Sequence, residues 1–176
     1  MKKLFSILVA LPLLGIGVAN AQTGTTSVHV KLVDVLSLAV NNTDVNINFN
    51  TVTDYQNGVT VPLSGHLLVT SNKAYTLNVK ASGSFAGTGV NTDVLDPSVV
   101  KISLPVGGNN TDLGVTPATI SNLSSTDAAL LTSANPAVSK LLDVTYAVPS
   151  SVSSTTAILG KKADTYTSTV TYTITQ

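Results

Sequence analysis

Cysteine and tryptophan are absent from this chain of 176 residues, and so are arginine and glutamate: all nine bases are lysine and all nine acids aspartate. Each absence removes a class of explanation. Without cysteine there is no disulfide and the commonest ligand of structural zinc is gone, so stability has to come from packing and strand pairing. Nucleic-acid binding needs clustered Lys and Arg, and beyond the N-terminus the only adjacent bases are Lys161-Lys162, which a solvated turn explains; a nucleic-acid partner is not expected. Aromatics are few, five Tyr and three Phe, which leaves little for stacking against sugars. What is plentiful is Thr and Ser, 43 of the 155 residues from Gln22 onward. With Val also abundant and the helix formers Glu, Arg and Met scarce, this is the usage of sheet faces, where β-branched hydroxyl residues fit the pleat and stay hydrated without charge.

The N-terminus carries Lys2-Lys3, an apolar run from Leu4 to Val18, then Ala19-Asn20-Ala21. A short positive region, an apolar core too short for a stable anchor and a small-x-small cleavage site predict a secretory signal helix over residues 1–21, cleaved after Ala21. No cysteine follows the apolar run, so a lipid-modified signal is not expected. The remaining residues, 22–176, are the length of one domain with a core of its own. Loss of Lys2 and Lys3 leaves seven Lys against nine Asp, a net of −2. Export through the periplasm to the cell surface or the medium is expected, with no membrane span once the signal is removed.

Period-two alternation marks the strands. Val28, Val30 and Leu32 share one face of a first strand over Thr26–Val40, with a bulge or break near Asp34 where the phase slips. Val45, Ile47 and Phe49 alternate with Asp and Asn, which predicts a second. Asn57-Gly58 reads as a tight turn. His66–Thr70 and Tyr75–Lys80 read as a hairpin, Val100–Leu104 and Leu142–Val148 as further strands. Ser82–Asn91, Gly107–Gly114 and Ser121–Asn135 read as loops, with one helical turn over Ala128–Leu131. The chain closes on Thr165–Thr175, where Val170, Tyr172 and Ile174 face inward and Thr faces outward. Seven to eight strands at this spacing predict an all-β fold, an immunoglobulin-like Greek-key β-sandwich after the signal helix.

The signal peptide, the opening VKLVDVLSLAV, the central LLVTSNKAYTLNVKAS and the closing YTSTVTYTITQ together resemble small secreted β-sandwich proteins of Gram-negative bacteria, mostly of unknown function, distantly similar to the WxL surface domain and the spore-coat-U type of pilin-like domain. The WxL tripeptide itself is absent, and so is the cysteine pair of many chaperone–usher pilins. The resemblance implies a mechanism that the residues permit: an extended N-terminal segment of one subunit completes the sheet of the next. Val28, Val30 and Leu32 are the candidate strand-exchange residues, and Val170, Tyr172 and Ile174 the candidate acceptor strand. The plainer expectation is that Thr25–Leu32 pairs in its own domain as the first strand.

Other motifs are weaker. His29 falls on the polar phase of its strand, and neither it nor His66 stands with a G-x-S-x-G serine; Gly83-Ser84-Phe85-Ala86-Gly87 has the serine misplaced, so no catalytic residue is assigned. Asn91, Asp93 and Asp96, and Asn109, Asn110 and Asp112, offer oxygens but no EF-hand spacing, and turn geometry explains both groups; no metal or cofactor is assigned. Tyr55, Phe85 and Tyr166 are candidate sugar platforms for which packing is the simpler reading. The sequons at Asn41, Asn109 and Asn122 carry no weight in bacterial export. The expected role is a secreted structural protein, a pilin-like subunit partnering itself or other surface proteins. The alternative is an adhesin or carbohydrate-binding module that binds glycans through the loops Ser82–Val99 and Gly107–Ser125.

Overall fold

The computed structural model of the protein describes residues 22–176; the expected signal helix lies outside the described residues. The chain divides into two units, residues 1–32 and 33–176. In the first, residues 22–32 are exposed and in no strand or helix. Among the described residues no helix is long and apolar enough to cross a membrane.

The second unit is built of antiparallel strands: β1 (Leu36–Val40), β2 (Gly58–Ser71), β3 (Tyr75–Ala81), β4 (Phe85–Ala86), β5 (Val94–Leu95), β6 (Lys101–Ser103), β7 (Thr119–Ile120), β8 (Ala128–Ala134), β9 (Ala137–Pro149) and β10 (Val170–Thr175). A five-stranded sheet has the order β1-β2-β9-β6-β7, a three-stranded sheet the order β10-β3-β8, and β4 and β5 form a small ribbon. Alternation decides which face each strand buries. Tyr75, Leu77, Val79 and Ala81 of β3 are buried while Thr76, Asn78 and Lys80 are not. In β9, Leu142, Val144, Tyr146 and Val148 point into the same core. Leu67 and Val69 of β2, Ile102 of β6 and Leu130 and Leu131 of β8 complete it. Truncating one of these leucines to Ala is expected to cost about 2–5 kcal/mol.

Two short helices interrupt the strands, α1 (Val52–Asn57) and α2 (Ser150–Ser153). A capping box starts α1: the Thr51 side chain accepts from the Asp54 N–H, and the Asp54 carboxylate accepts from the Thr51 N–H. Gly58 ends it with φ 76°, where a Cβ would lie 2.3 Å from the Val148 carbonyl oxygen.

Several sequence expectations are corrected. Thr25–Leu32 was expected to pair as the first strand, but the ladder begins only at Leu36, beyond Asp34, whose carboxylate meets Lys73 Nζ at 2.6 Å. Val45, Ile47 and Phe49 do alternate in burial with their polar neighbours, yet residues 42–50 join no strand because nothing pairs with them. Asn57-Gly58 is the C-terminus of α1 rather than a hairpin turn. β2 and β3 are consecutive but belong to different sheets, so the expected hairpin is a crossover from one sheet to the other. Ala128–Leu131 is not a helical turn but the start of β8, paired with β3. The last strand is shorter than its pattern, with only Val170–Thr175 in the ladder and Thr167 in an isolated bridge to Ala86.

Candidate functional site

The three-stranded and five-stranded sheets contribute to one core, and β10 and β1 are edge strands of the two. β10 pairs with β3 along its whole length, Val170 opposite Ala81, Tyr172 opposite Val79 and Ile174 opposite Leu77, and among the described residues no strand pairs with its other edge. Its three inward residues are accordingly only half-buried, although their partners on β3 are fully buried. β1 tells the same story from the facing sheet. Leu36, Leu38 and Val40 pair with Ser71, Val69 and Leu67 and so share the interior face, yet Leu36 is 40% and Val40 42% exposed.

A groove of about 280 Å³ opens at this side, with Val45, Ile47, Phe85 and Val170 among its apolar walls and Thr167–Thr169 at its rim. Asp44 is the one charged residue that lines it. Asn42–Val45 and Ile47 line the groove on one side and Thr167–Val170 and Tyr172 on the other, and neither segment donates or accepts a backbone hydrogen bond to the other. Residues 42–49 have no main-chain partner among the described residues, whereas Thr167 and Thr169 already bond Ala86 and Ser82, so on that side it is the outer edge of β10 that a further strand can satisfy.

The groove is floored by a polar chain that the sequence did not announce. His66 Nε2 lies 3.0 Å from the Tyr146 hydroxyl, and that hydroxyl lies 2.6 Å from the Tyr172 hydroxyl, which links β2, β9 and β10. Both tyrosine rings meet His66 edge-on. Burial holds His66 below its ordinary value of 6.5, so it is neutral, and its Nδ1 has no partner. Burial pushes Tyr146 up to about 12 against the opposing hydrogen bond from Tyr172. Tyr172 is pushed up as well, by burial first and by Tyr146 beside it. His66 is thus partnered by a phenol, with no carboxylate or serine in hydrogen-bond reach. The inward phase of Tyr146 and Tyr172 was legible; that three strands bring their polar tips together was not.

The remaining sequence candidates are used internally. Asp143 accepts from the Ser64 hydroxyl at 3.1 Å, the Gly65 N–H at 2.7 Å, and the Asn109 N–H and Nδ2 at 3.0 and 2.7 Å. Burial raises its pKa, but these hydrogen bonds, led by the Asn109 side chain, outweigh it and bring it down to about 2. Asn110 is buried and bridges the Pro105 and Asp143 backbones. Asp164 does the same for the other long loop, accepting from the Thr88 hydroxyl and N–H and from Asn91 Nδ2. Those bonds, the Thr88 hydroxyl first, hold it well below the usual carboxylate range. Asp93 accepts from the Lys162 N–H and Asp96 from the Ser98 N–H. Among the described residues no three His, Cys, Asp or Glu gather as a metal-binding group.

Tyr55 packs against Phe49, Phe85 lines the groove, and Tyr166 donates to the Lys162 carbonyl. His29 is exposed, as its phase suggested. The proposed exchange residues Val28, Val30 and Leu32 lie in the first unit, 80%, 80% and 86% exposed. No protein-family model matches the chain, and no curated protein matches it.

Proposed function

We propose that this protein is a secreted cell-surface or extracellular structural subunit, an immunoglobulin-like Greek-key β-sandwich that assembles with itself by β-strand exchange in the manner of pilin-like domains. The observation that carries the reading is the unpaired outer edge of β10 beside half-exposed interior residues of β1, in a chain whose N-terminal segment holds three exposed aliphatic side chains in period two. An edge and a strand of matching pattern are the two halves of strand addition.

The magnitudes say what such a contact must use. Burying Val28, Val30 and Leu32 contributes roughly 5–8 kcal/mol. Ordering the eight residues Thr25–Leu32 costs about 1–2 kcal/mol per residue, which over the segment exceeds that gain. Side-chain burial alone therefore gives no net affinity. Main-chain pairing and the covering of Leu36, Val40, Val45 and Ile47 have to supply the rest, and an edge that exposes both kinds of group supports the reading.

Light scattering and negative-stain microscopy of residues 22–176 beside residues 33–176 test it. Oligomers or filaments of the longer chain that vanish in the shorter, still folded one are expected; equal monomers of both overturn it.

One observation favours a second reading, a carbohydrate-binding or adhesive module. A concavity of about 400 Å³ lies in the loop between Val106 and Pro117. Its lining includes Asn110, Asp112 and Thr116 but no aromatic ring, so it offers hydrogen bonds without a stacking platform. Retention of the shorter chain on a glycan array is the outcome that supports this reading.

A further inference from the structure

The edge of β10 is one wall of a slot that has a second. Asn42–Val45 and Ile47 form that wall, in a segment where Val45, Ile47 and Phe49 pack against the core and Asp44, Asn46 and Asn48 are exposed. Their backbone makes no hydrogen bond within the described residues. A strand laid between this segment and β10 pairs on both sides, where an ordinary edge offers one.

We infer that the slot is built for residues 25–32 of a second copy of this chain, running antiparallel to β10 with Val28 opposite Tyr172 and Val30 opposite Val170; this rests on the strand-exchange reading above. Four observations support the occupant and its register. Parity comes first. Even-numbered residues of the segment are the apolar ones and even-numbered residues of β10 face inward, so pairs whose numbers sum to 200 put every aliphatic side chain inside, while a one-residue slip would drive Lys31 and His29 into the core.

Charge comes second. Lys31 is the only charged residue between Gln22 and Leu32, and Asp44 the only one lining the groove; both fall on the outward phase. The stated register brings Lys31 level with Thr169, at the rim where Thr167–Thr169 and Asn42–Val45 both line the groove.

Direction comes third. The chain enters the second unit beside Gln176, whose Nε2 donates to the Val35 carbonyl at 2.8 Å, so β10 ends where β1 begins. A segment folding back on its own domain from Val33 could run along β10 only in parallel. A segment from another copy has no such restriction, and every ladder among the described residues is antiparallel. Size comes last: a groove of about 280 Å³ with apolar walls has room for a few aliphatic side chains.

The absence of native cysteine makes the test direct. His29→Cys in one chain and Thr171→Cys in another are solvent-facing partners in this register. Mixed and oxidised, they are expected to give an intermolecular 29–171 disulfide identified by mass spectrometry, and His29→Cys with Thr173→Cys far less of one. Lys31→Asp is expected to weaken assembly roughly two- to five-fold and Asp44→Lys to restore it in the same chain. Assembly that depends on residues 22–32 without the 29–171 link overturns the slot and leaves strand exchange standing. Loss of both overturns both readings. A 29–171 link formed within a doubly substituted monomer at high dilution overturns the second copy as occupant.

Discussion

The hydroxyls of Tyr146 and Tyr172 lie 2.6 Å apart, a hydrogen bond that ties the long strand β9 of one sheet to the terminal strand β10 of the other. It sits beneath the groove, so the strand that would accept an incoming partner is fastened from below by a phenol pair and from the side only by β3.

Removing one hydroxyl at a time separates the members of this chain. Tyr172→Phe leaves Tyr146 bonded to His66 and is expected to cost about 1 kcal/mol. Tyr146→Phe strands both His66 Nε2 and the Tyr172 hydroxyl and is expected to cost about 2–4 kcal/mol. Urea unfolding of the two single variants and the double variant measures the difference, and a Tyr146→Phe loss no greater than that of Tyr172→Phe contradicts the geometry.

Acid reads the buried histidine. His66 has its folded value below the ordinary 6.5, so the unfolded chain takes up a proton that the fold resists. Stability is therefore expected to fall as pH drops through the window just below 6.5, and His66→Gln is expected to flatten that segment of the curve. A second loss is expected between about 4 and about 2, where Asp143 gives up the hydrogen bonds that depress it. Denaturation midpoints from pH 8 to pH 2 show whether the two steps separate.

Asp143→Asn replaces an acceptor of four hydrogen bonds by a group with one acceptor oxygen and two donors of its own. The expected cost is about 2–3 kcal/mol. Its signature is local: faster hydrogen exchange over residues 105–112 with protection of β3 and β9 unchanged. A uniform loss across the sheets would mean that the carboxylate holds more than its loop and the Ser64–Gly65 irregularity of β2.

Gly58→Ala sets a Cβ 2.3 Å from the Val148 carbonyl oxygen at a φ of 76°. Strain of that kind costs about 1–3 kcal/mol before the clash is counted. Thermal unfolding is expected to drop accordingly, and an unchanged midpoint would mean that α1 ends elsewhere.

Period two in the sequence reported burial and said nothing of pairing. Val45, Ile47 and Phe49 have the cleanest alternation in the chain and do turn inward, yet a strand exists only when a neighbour completes its ladder, and their neighbour is missing. The run Ala-Ala-Leu-Leu at 128–131 suits a helix on propensity, but the uncovered edge of β3 recruits it as β8, Leu131 opposite Leu77. Tyr172 and Ile174 were legible as inward residues of a closing strand. That their strand ends a sheet, and that His66 and Tyr146 stand behind it, follows from strand order, which contacts distant in sequence decide.

Edge strands are commonly guarded by a lysine, a proline or a bulge that discourages stray neighbours. β10, reading Val-Thr-Tyr-Thr-Ile-Thr, has none of the three, and β1, reading Leu-Ser-Leu-Ala-Val, lacks charge and proline as well. Two unguarded edges are where the strand-exchange reading expects stray extended chains to compete with the intended one. The protein's shelf life at high concentration is therefore governed by how quickly those edges are covered, and a short synthetic peptide that caps β10 should serve as its solubiliser.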